Sequence, residues 1–335
     1  MIIESRFKPA WWMTNRHLQT GWQKIHRRKL ICPTIQQRLE LADGDFIDIH
    51  WSEKPKKHYS SPLVIVLHGL EGSVRSTYAR GMMNAVRQQG WIGVLMHFRS
   101  CGGIANRLAR AYHSGDTEDL NFLITYLRQK YPNAPCYAVG FSLGANVLVK
   151  FNGEQAKDNP LSASVAICPP LDLAASCLHI QRGFAKVYQK YLLDMMLDNL
   201  ARKMQSVDLS LYLGKKPEKF NKIRTIWQFD QTITAPLHGY RSAQDYYQKC
   251  SGRQFLKQVQ KPLLVIHAAD DPFLSPDSVP QAHELSSHVT FELSQKGGHV
   301  GFISGPSPRQ VEYWLETRTL EYFRQILAAN KPLTD

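Results

Sequence analysis

The 335-residue chain has no run of 18 or more apolar residues, so it offers no membrane-spanning helix. It also has no recognisable secretory leader. Glu4, Arg6 and Lys8 interrupt the first apolar stretch and no small-residue cleavage site follows, which makes the cytoplasm the expected compartment. Its six cysteines (Cys32, Cys101, Cys136, Cys168, Cys177 and Cys250) form no CxxC pair and keep no regular spacing. That argues against a disulfide framework or a zinc site, and the six read as free thiols, mostly packed. A P-loop is absent, and so is GxGxxG after a strand, so no nucleotide cofactor is expected. The segment "HELSSH" at 283–288 comes nearest to a zinc-protease motif but spaces its histidines five apart. Five helical steps turn them to different faces, and no metal is expected.

Acidic residues are scarce, 28 against 41 Lys and Arg, for a formal net charge of +13. The basic residues gather in "KIHRRK" at 24–29 and between Arg182 and Arg224. No helix-turn-helix, zinc-finger or aromatic RNA-binding signature accompanies them, so nucleic acid is not an expected partner. A solvated basic face is the first reading. The alternative is peripheral membrane contact, because "AWW" at 10–12 and Trp22 lie near "KIHRRK"; a segment packed onto the domain is the plainer reading of those tryptophans.

What is present is a rhythm. "FIDIHW" (46–51) alternates as a half-exposed strand does, whereas "LVIVLHG", "WIGVLMH", "CYAVG", "SVAIC" and "PLLVIHA" are short continuous apolar runs, the pattern of strands buried on both faces. Helix-length stretches separate them: "STYARGMMNAVRQQG", "DTEDLNFLITYLRQKYP" and "LGANVLVKF". The repetition predicts an α/β fold with a mostly parallel central sheet and helices on both faces, closed by a last helix over "PRQVEYWLETRTLEYFRQILA". Residues 171–254 break the rhythm with a long helical pattern and no convincing buried strand, as a helical cap over the carboxyl ends of the strands would.

Between the strand "CYAVG" and the helix "LGANVLVKF" sit Gly140, Ser142 and Gly144. A GxSxG turn from strand to helix lifts the serine hydroxyl above the sheet edge beside a helix N-terminus, the context of a nucleophile elbow. A serine needs a base, and the base needs a third group to hold it. On such a fold both follow in the order acid, then histidine. "VIHAADDPF" supplies Asp271, with Asp270 as the alternative placed to bond the turn's own amides, and "GGHVGF" supplies His299 in a glycine-rich loop. The oxyanion donors would be the amides of Leu143 and of Leu70 in "HGLEG". His68, His97 and His113 read as structural or cavity-lining, and Arg99 as a salt-bridge partner that holds its loop.

On these residues the chain resembles the α/β-hydrolase superfamily, and within it the YheT-type bacterial esterases related to medium-chain phospholipases and ethanol acyltransferases. Further similar motifs are "NRHLQT", "LADGDFIDIHW", "HGLEGS", "MHFRSCGG", "YHSGDTEDL", "FSLGAN", "ITAPLHGY", "IHAADDPF" and "GGHVGF", which span residues 15–302. The resemblance implies a Ser142, Asp271, His299 charge relay and hydrolysis of a small-molecule acyl ester, with no organic cofactor. Ser100 stands in "HFRSCGG" where relatives commonly carry glycine. The expected organisation is one α/β-hydrolase domain (1–335) with an N-terminal extension (1–35) and a helical cap (171–254), taking short- to medium-chain acyl groups. Two alternatives stay open: acyl transfer to an alcohol through the same triad, and a non-catalytic membrane- or partner-binding protein of the same fold.

Overall fold

The computed structural model describes residues 1–214, 220 and 222–330. Its frame is a nine-stranded sheet made of β1 (Ile2–Glu4), β2 (Ile35–Glu40), β3 (Phe46–Trp51), β4 (Leu63–Leu67), β5 (Ile92–Met96), β6 (Cys136–Phe141), β7 (Ala163–Ile167), β8 (Leu263–Ala268) and β9 (Val289–Ser294). They lie in the order β1-β9-β8-β7-β6-β4-β5-β3-β2. Every neighbouring pair is parallel except β2 with β3 and β3 with β5.

The helices are α1 (Arg16–His26), α2 (Thr77–Gln88), α3 (Glu118–Lys130), α4 (Leu143–Gln155), α5 (Leu173–His179), α6 (Ala185–Met204), α7 (Ser210–Leu213), α8 (Ile226–Phe229), α9 (Ala235–Leu237), α10 (Ala243–Cys250) and α11 (Trp314–Ala329). The period of two along β4 shows why its apolar run is continuous. Val64 and Val66 pack with Met82 and Val86 of α2 and Phe323 of α11, while Leu63, Ile65 and Leu67 pack with Leu123 of α3 and Phe151 of α4. Between β7 and β8 the described residues form α5 to α10 and no strand, with a π-helical turn at Asp230–Thr234. Part of the second basic stretch, residues 215–219 and 221, lies outside the described residues.

Two expectations are corrected. The "FIDIHW" strand is buried at all six positions rather than half-exposed. Alternation reports the polarity of a face, not its wetness: Arg38 on β2 grips Asp48 through two hydrogen bonds of 2.9 Å, and Thr34 bonds His50 at 3.0 Å, so the polar face is covered. The C-terminal helix begins only at Trp314, because the residues before it form an antiparallel hairpin of β10 (Ile303–Ser307) and β11 (Gln310–Tyr313). Val311 and Tyr313 are drawn off the helix to pack against Ala10, Met13 and Ile303.

Edge strand β1 has no sequence signature, since three residues are too few for periodicity, yet it pairs in parallel with β9 from Ile2 opposite Phe291 to Glu4 opposite Leu293. All six cysteines are free, four of them buried. No helix among the described residues is long and apolar enough to cross a membrane.

Arg99 turns its guanidinium into three carboxylates, at 2.7 Å from Asp119, 2.8 Å from Asp43 and 3.2 Å from Asp45. Arg99, Asp45 and Asp119 are all buried, so the ions depend on one another for solvation. Replacing Arg99 by Met would leave two buried carboxylates uncompensated, at a cost of roughly 3–5 kcal/mol. The urea midpoint of Arg99→Met is therefore expected well below that of the parent, and an equal midpoint would contradict this account.

Candidate active site

Ser142 follows the last residue of β6 and precedes the first of α4, with φ 52° and ψ −116°. A residue carrying a Cβ adopts such a backbone only where its surroundings enforce it. Here they do. A Cβ on Gly140 would lie 2.4 Å from the Gly144 carbonyl oxygen, and one on Gly144 would lie 2.5 Å from that of His68. Strand, helix and the 68–72 turn thus approach to distances that only glycine allows.

The serine Oγ lies 2.9 Å from Nε2 of His299, and Nδ1 of His299 lies 2.7 Å from Oδ2 of Asp271. The second carboxylate oxygen of Asp271 accepts from the Phe273 amide at 2.8 Å. Burial alone would raise the Asp271 carboxyl, but its interactions with His299, helped by His267 and the Phe273 amide, outweigh burial and hold it below the usual carboxylate value. Asp270 is turned away, accepting the Gly298 amide at 2.9 Å. The ring of Phe273 stacks on His299, with centroids 4.1 Å apart and planes 10° apart.

The histidine loop is held by α1, from the opposite end of the chain. Asn15 caps that helix by accepting the His17 amide at 2.8 Å. On its inner face Thr20 Oγ1 accepts the His299 amide at 2.9 Å, and buried Gln19 and Gln23 donate to Ile303 O and Val300 O at 3.1 and 2.9 Å. A Cβ on Gly298 or Gly301 would come within 2.5 Å of the Arg16 or Gln19 carbonyl. "NRHLQT" and "GGHVGF" are two sides of one contact.

Leu70 and Leu143 line the cavity with Ser142 and His299. As the first residue of α4, Leu143 presents one of the amides that a helix start leaves without a partner in the helix. The 68–72 turn is fixed from several sides. His68 Nδ1 meets its neighbour's carbonyl, Gly69 O, at 2.7 Å, and the Gly69 amide donates to Tyr78 at 2.8 Å. Burial pushes the His68 imidazole down to about 4, and that of His97 to about 3, which makes both neutral structural groups; His113 is also pushed well down, chiefly by burial.

Four residues at the cavity were not singled out from the sequence. The Glu71 amide donates to Tyr112 Oη at 2.8 Å, Tyr112 returns a hydrogen bond to Glu71 Oε1 at 2.8 Å, and Asn199 of α6 donates to Glu71 Oε2 at 2.9 Å. Lys203, one turn further along α6, donates to Arg110 O at 2.7 Å. Glu71 and Tyr112 lie inside "HGLEGS" and "YHSGDTEDL", so their motifs were visible though their roles were not. Asn199 and Lys203 carry no local signal. Ser100 also lines the cavity, with φ 67°, a conformation suited to glycine.

The cavity between the sheet edge and the helices of 171–254 has a volume of about 170 Å³ and walls that include Leu70, Ile180, Met196, Ile233 and Leu237. Cys168, Asp271 and His299 bring potential metal-ligand atoms within 4.8 Å of one another. Both nitrogens of His299 are engaged, however, and burial holds the Cys168 thiol well above its usual value, so this donor set suits a hydrogen-bond relay better than a cation. In "HELSSH", Glu284 is bound by Arg253 at 2.7 and 2.8 Å, and His283 and His288 lie outside the cavity.

A strained serine between strand and helix, on a mostly parallel sheet under a helical insertion, defines a hydrolase architecture, and the chain belongs to the α/β hydrolase fold family, whose family model matches residues 62–306. It is 42% identical over 328 residues to YheT of Escherichia coli, covering 97% of this chain and 95% of that protein, which puts it in the YheT-like branch. It is also 27% identical over 326 residues to phospholipase ABHD3 of Mus musculus, covering 93% of this chain and 77% of the relative. Among solved structures, the Pyrococcus furiosus esterase Pf2001 superposes with a TM-score of 0.54 at 14% identity, covering 96% of this chain and 99% of that one, and so shares the fold.

Burial, against the hydrogen bonds from Tyr112 and Asn199, pushes the Glu71 carboxyl up from 4.5 to about 7. Between those values the folded state keeps a proton that the unfolded chain has released, so the stability linked to Glu71 is present at low pH and is lost as pH rises through about 7. Glu71→Gln should therefore raise Tm relative to the parent at about pH 9 and leave it nearly unchanged at about pH 5. Equal effects at the two pH values would show that the carboxyl titrates normally.

Proposed function

We propose that the chain is a serine esterase that hydrolyses carboxylic esters of short- to medium-chain acyl groups through an acyl-enzyme, with Ser142 as nucleophile, His299 as general base and acid, and Asp271 as the group that orients the imidazole. The observation that carries this reading is the unbroken relay from Ser142 Oγ to His299 to Asp271, at 2.9 and 2.7 Å, opening on an apolar cavity. The name of the phospholipase relative, an ester-cleaving enzyme, supports it.

In this mechanism the Nδ1–H of His299 stays on the ring and donates a hydrogen bond to Asp271, which fixes the tautomer that leaves Nε2 free to accept the Ser142 proton as Oγ attacks the ester carbonyl. The amides of Leu70 and Leu143 donate to the oxyanion of the tetrahedral intermediate. Collapse breaks the bond to the alkoxy oxygen, and His299 returns the proton to the departing alcohol. Water then attacks the acyl-enzyme, His299 takes its proton, and the carboxylic acid leaves as Ser142 regains its hydrogen. No metal or organic cofactor enters any step.

Residues 171–254 act as the cap of a single hydrolase domain, and residues 1–35 as an extension that braces the histidine loop. A dry apolar cavity of ~150 Å³ takes a benzene-sized guest. The volume of about 170 Å³ beneath the cap therefore suits a short acyl chain better than a long one.

Ser142→Ala should abolish labelling by a fluorophosphonate probe. Asp271→Asn should lower kcat on p-nitrophenyl butyrate by ~10⁴-fold, the scale of losing the tautomer-fixing acid, whereas Asp270→Asn should have a far smaller effect. A folded parent that takes no label would refute the triad. In a series of p-nitrophenyl butyrate, octanoate and palmitate, kcat/KM should fall toward palmitate; a flat series would remove the chain-length assignment and leave the triad standing.

A further inference from the structure

We infer that the seam between α1 and α6 is a docking face for an anionic phospholipid surface. Both helices bury one side and still present large apolar residues to water. On α1 the buried side is Gln19 and Gln23, while Leu18 and Ile25, seven residues apart on the outward side, are 55% and 75% exposed. On α6 the buried side is Leu193, Met196 and Leu200, while Phe184 just before the helix, Val187 and Tyr191 are 59%, 56% and 48% exposed at the spacing of one face. The helices touch. The His17 ring lies 4.6 Å from that of Phe184, its Nδ1 lies 3.2 Å from Tyr188 Oη, and Lys24 Nζ lies 4.0 Å from the Tyr191 ring centroid. The apolar residues therefore belong to one seam.

Charge selects the occupant. Arg27 pairs with Glu316 and Lys190 with Asp194, but Arg16, Lys24, Arg28, Lys29 and Lys186 form no ion pair among the described residues. Exposed apolar side chains between cations that hold no ion-pair partner are the composition of an interfacial helix, and the cations attract anionic headgroups. A second copy of this chain fits poorly, because a twofold contact would set the same cations against themselves.

Position gives the seam a use. Tyr188, bonded to His17, has its ring 4.8 Å from that of Phe273, which in turn stacks 4.1 Å from His299. Two ring contacts separate the seam from the relay, so a chain docked there holds its cavity beside the lipid surface.

The test is cosedimentation of the full chain with vesicles of phosphatidylcholine alone and of phosphatidylcholine mixed with phosphatidylglycerol, at low and high salt, with no turnover measured, so that a failed esterase assignment leaves it intact. The expected result is binding to the phosphatidylglycerol vesicles that weakens at least ~tenfold at high salt, on phosphatidylcholine alone, and in each of L18D/I25D and R28E/K29E. Melts followed by circular dichroism verify that both variants are folded, and the two remove different components of the α1 side of the face, its apolar residues and its cations. The proposal is overturned by absence of binding to phosphatidylglycerol vesicles, by equal binding to both lipids, by binding that survives both double substitutions, or by light scattering that shows a dimer dissociated by L18D/I25D.

Discussion

A methyl group on residue 140 or 144 would collide with backbone carbonyls across the turn, and the organisation of the site depends on that closeness. Because β6, α4 and the 68–72 turn meet without side chains between them, Ser142 is forced to φ 52°, its hydroxyl stands clear of the sheet edge, and Leu143 starts a helix directly beside it. The strain is local, and the buried strands on either side of β6 sustain it. The same closeness brings the Leu70 turn within reach of the serine: a Cβ on Gly69 would lie 3.2 Å from that of Ser142.

The second half of the relay depends on a contact between the ends of the chain. His299 sits in a loop where Gly298, Val300 and Phe302 all have positive φ, a conformation with little cooperative support of its own. Gln19, Thr20 and Gln23 give that loop the hydrogen bonds a strand or helix would otherwise provide, and β1 ties the segment before α1 into the sheet beside β9. The N-terminal segment is therefore part of the site, and its outward face is free for another role.

The cavity joins two kinds of surface. Its floor is made of rigid sheet-edge turns and its roof of helices from 171–254, which meet the floor through polar contacts such as Asn199 with Glu71 and Lys203 with Arg110. Buried polar contacts of that kind specify a register between two layers more than they stabilise it. The roof is thus apolar toward the cavity and still tied to the floor by hydrogen bonds.

Much of this was legible in order along the chain. Strands buried on both faces announce themselves as continuous apolar runs, and a serine between two glycines at a strand-to-helix turn marks its own place, because both signals arise from neighbours in sequence. Asp271 and Asp270 are adjacent carboxylates, and only the direction in which the folded turn points each of them separates the two, Asp271 toward His299 and Asp270 toward the Gly298 amide. The covering of the polar face of β3, the hairpin ahead of α11, the bracing of His299 by α1 and the partners of Glu71 were not legible at all. Each joins residues far apart in the chain, such as Thr20 with His299, and periodicity carries no information about which distant surface will meet which. Sequence by itself determined the fold class and the residue types available for chemistry. Tertiary structure decided their distances, their burial and which surfaces remain uncovered, since those depend on close packing between segments that local pattern does not couple.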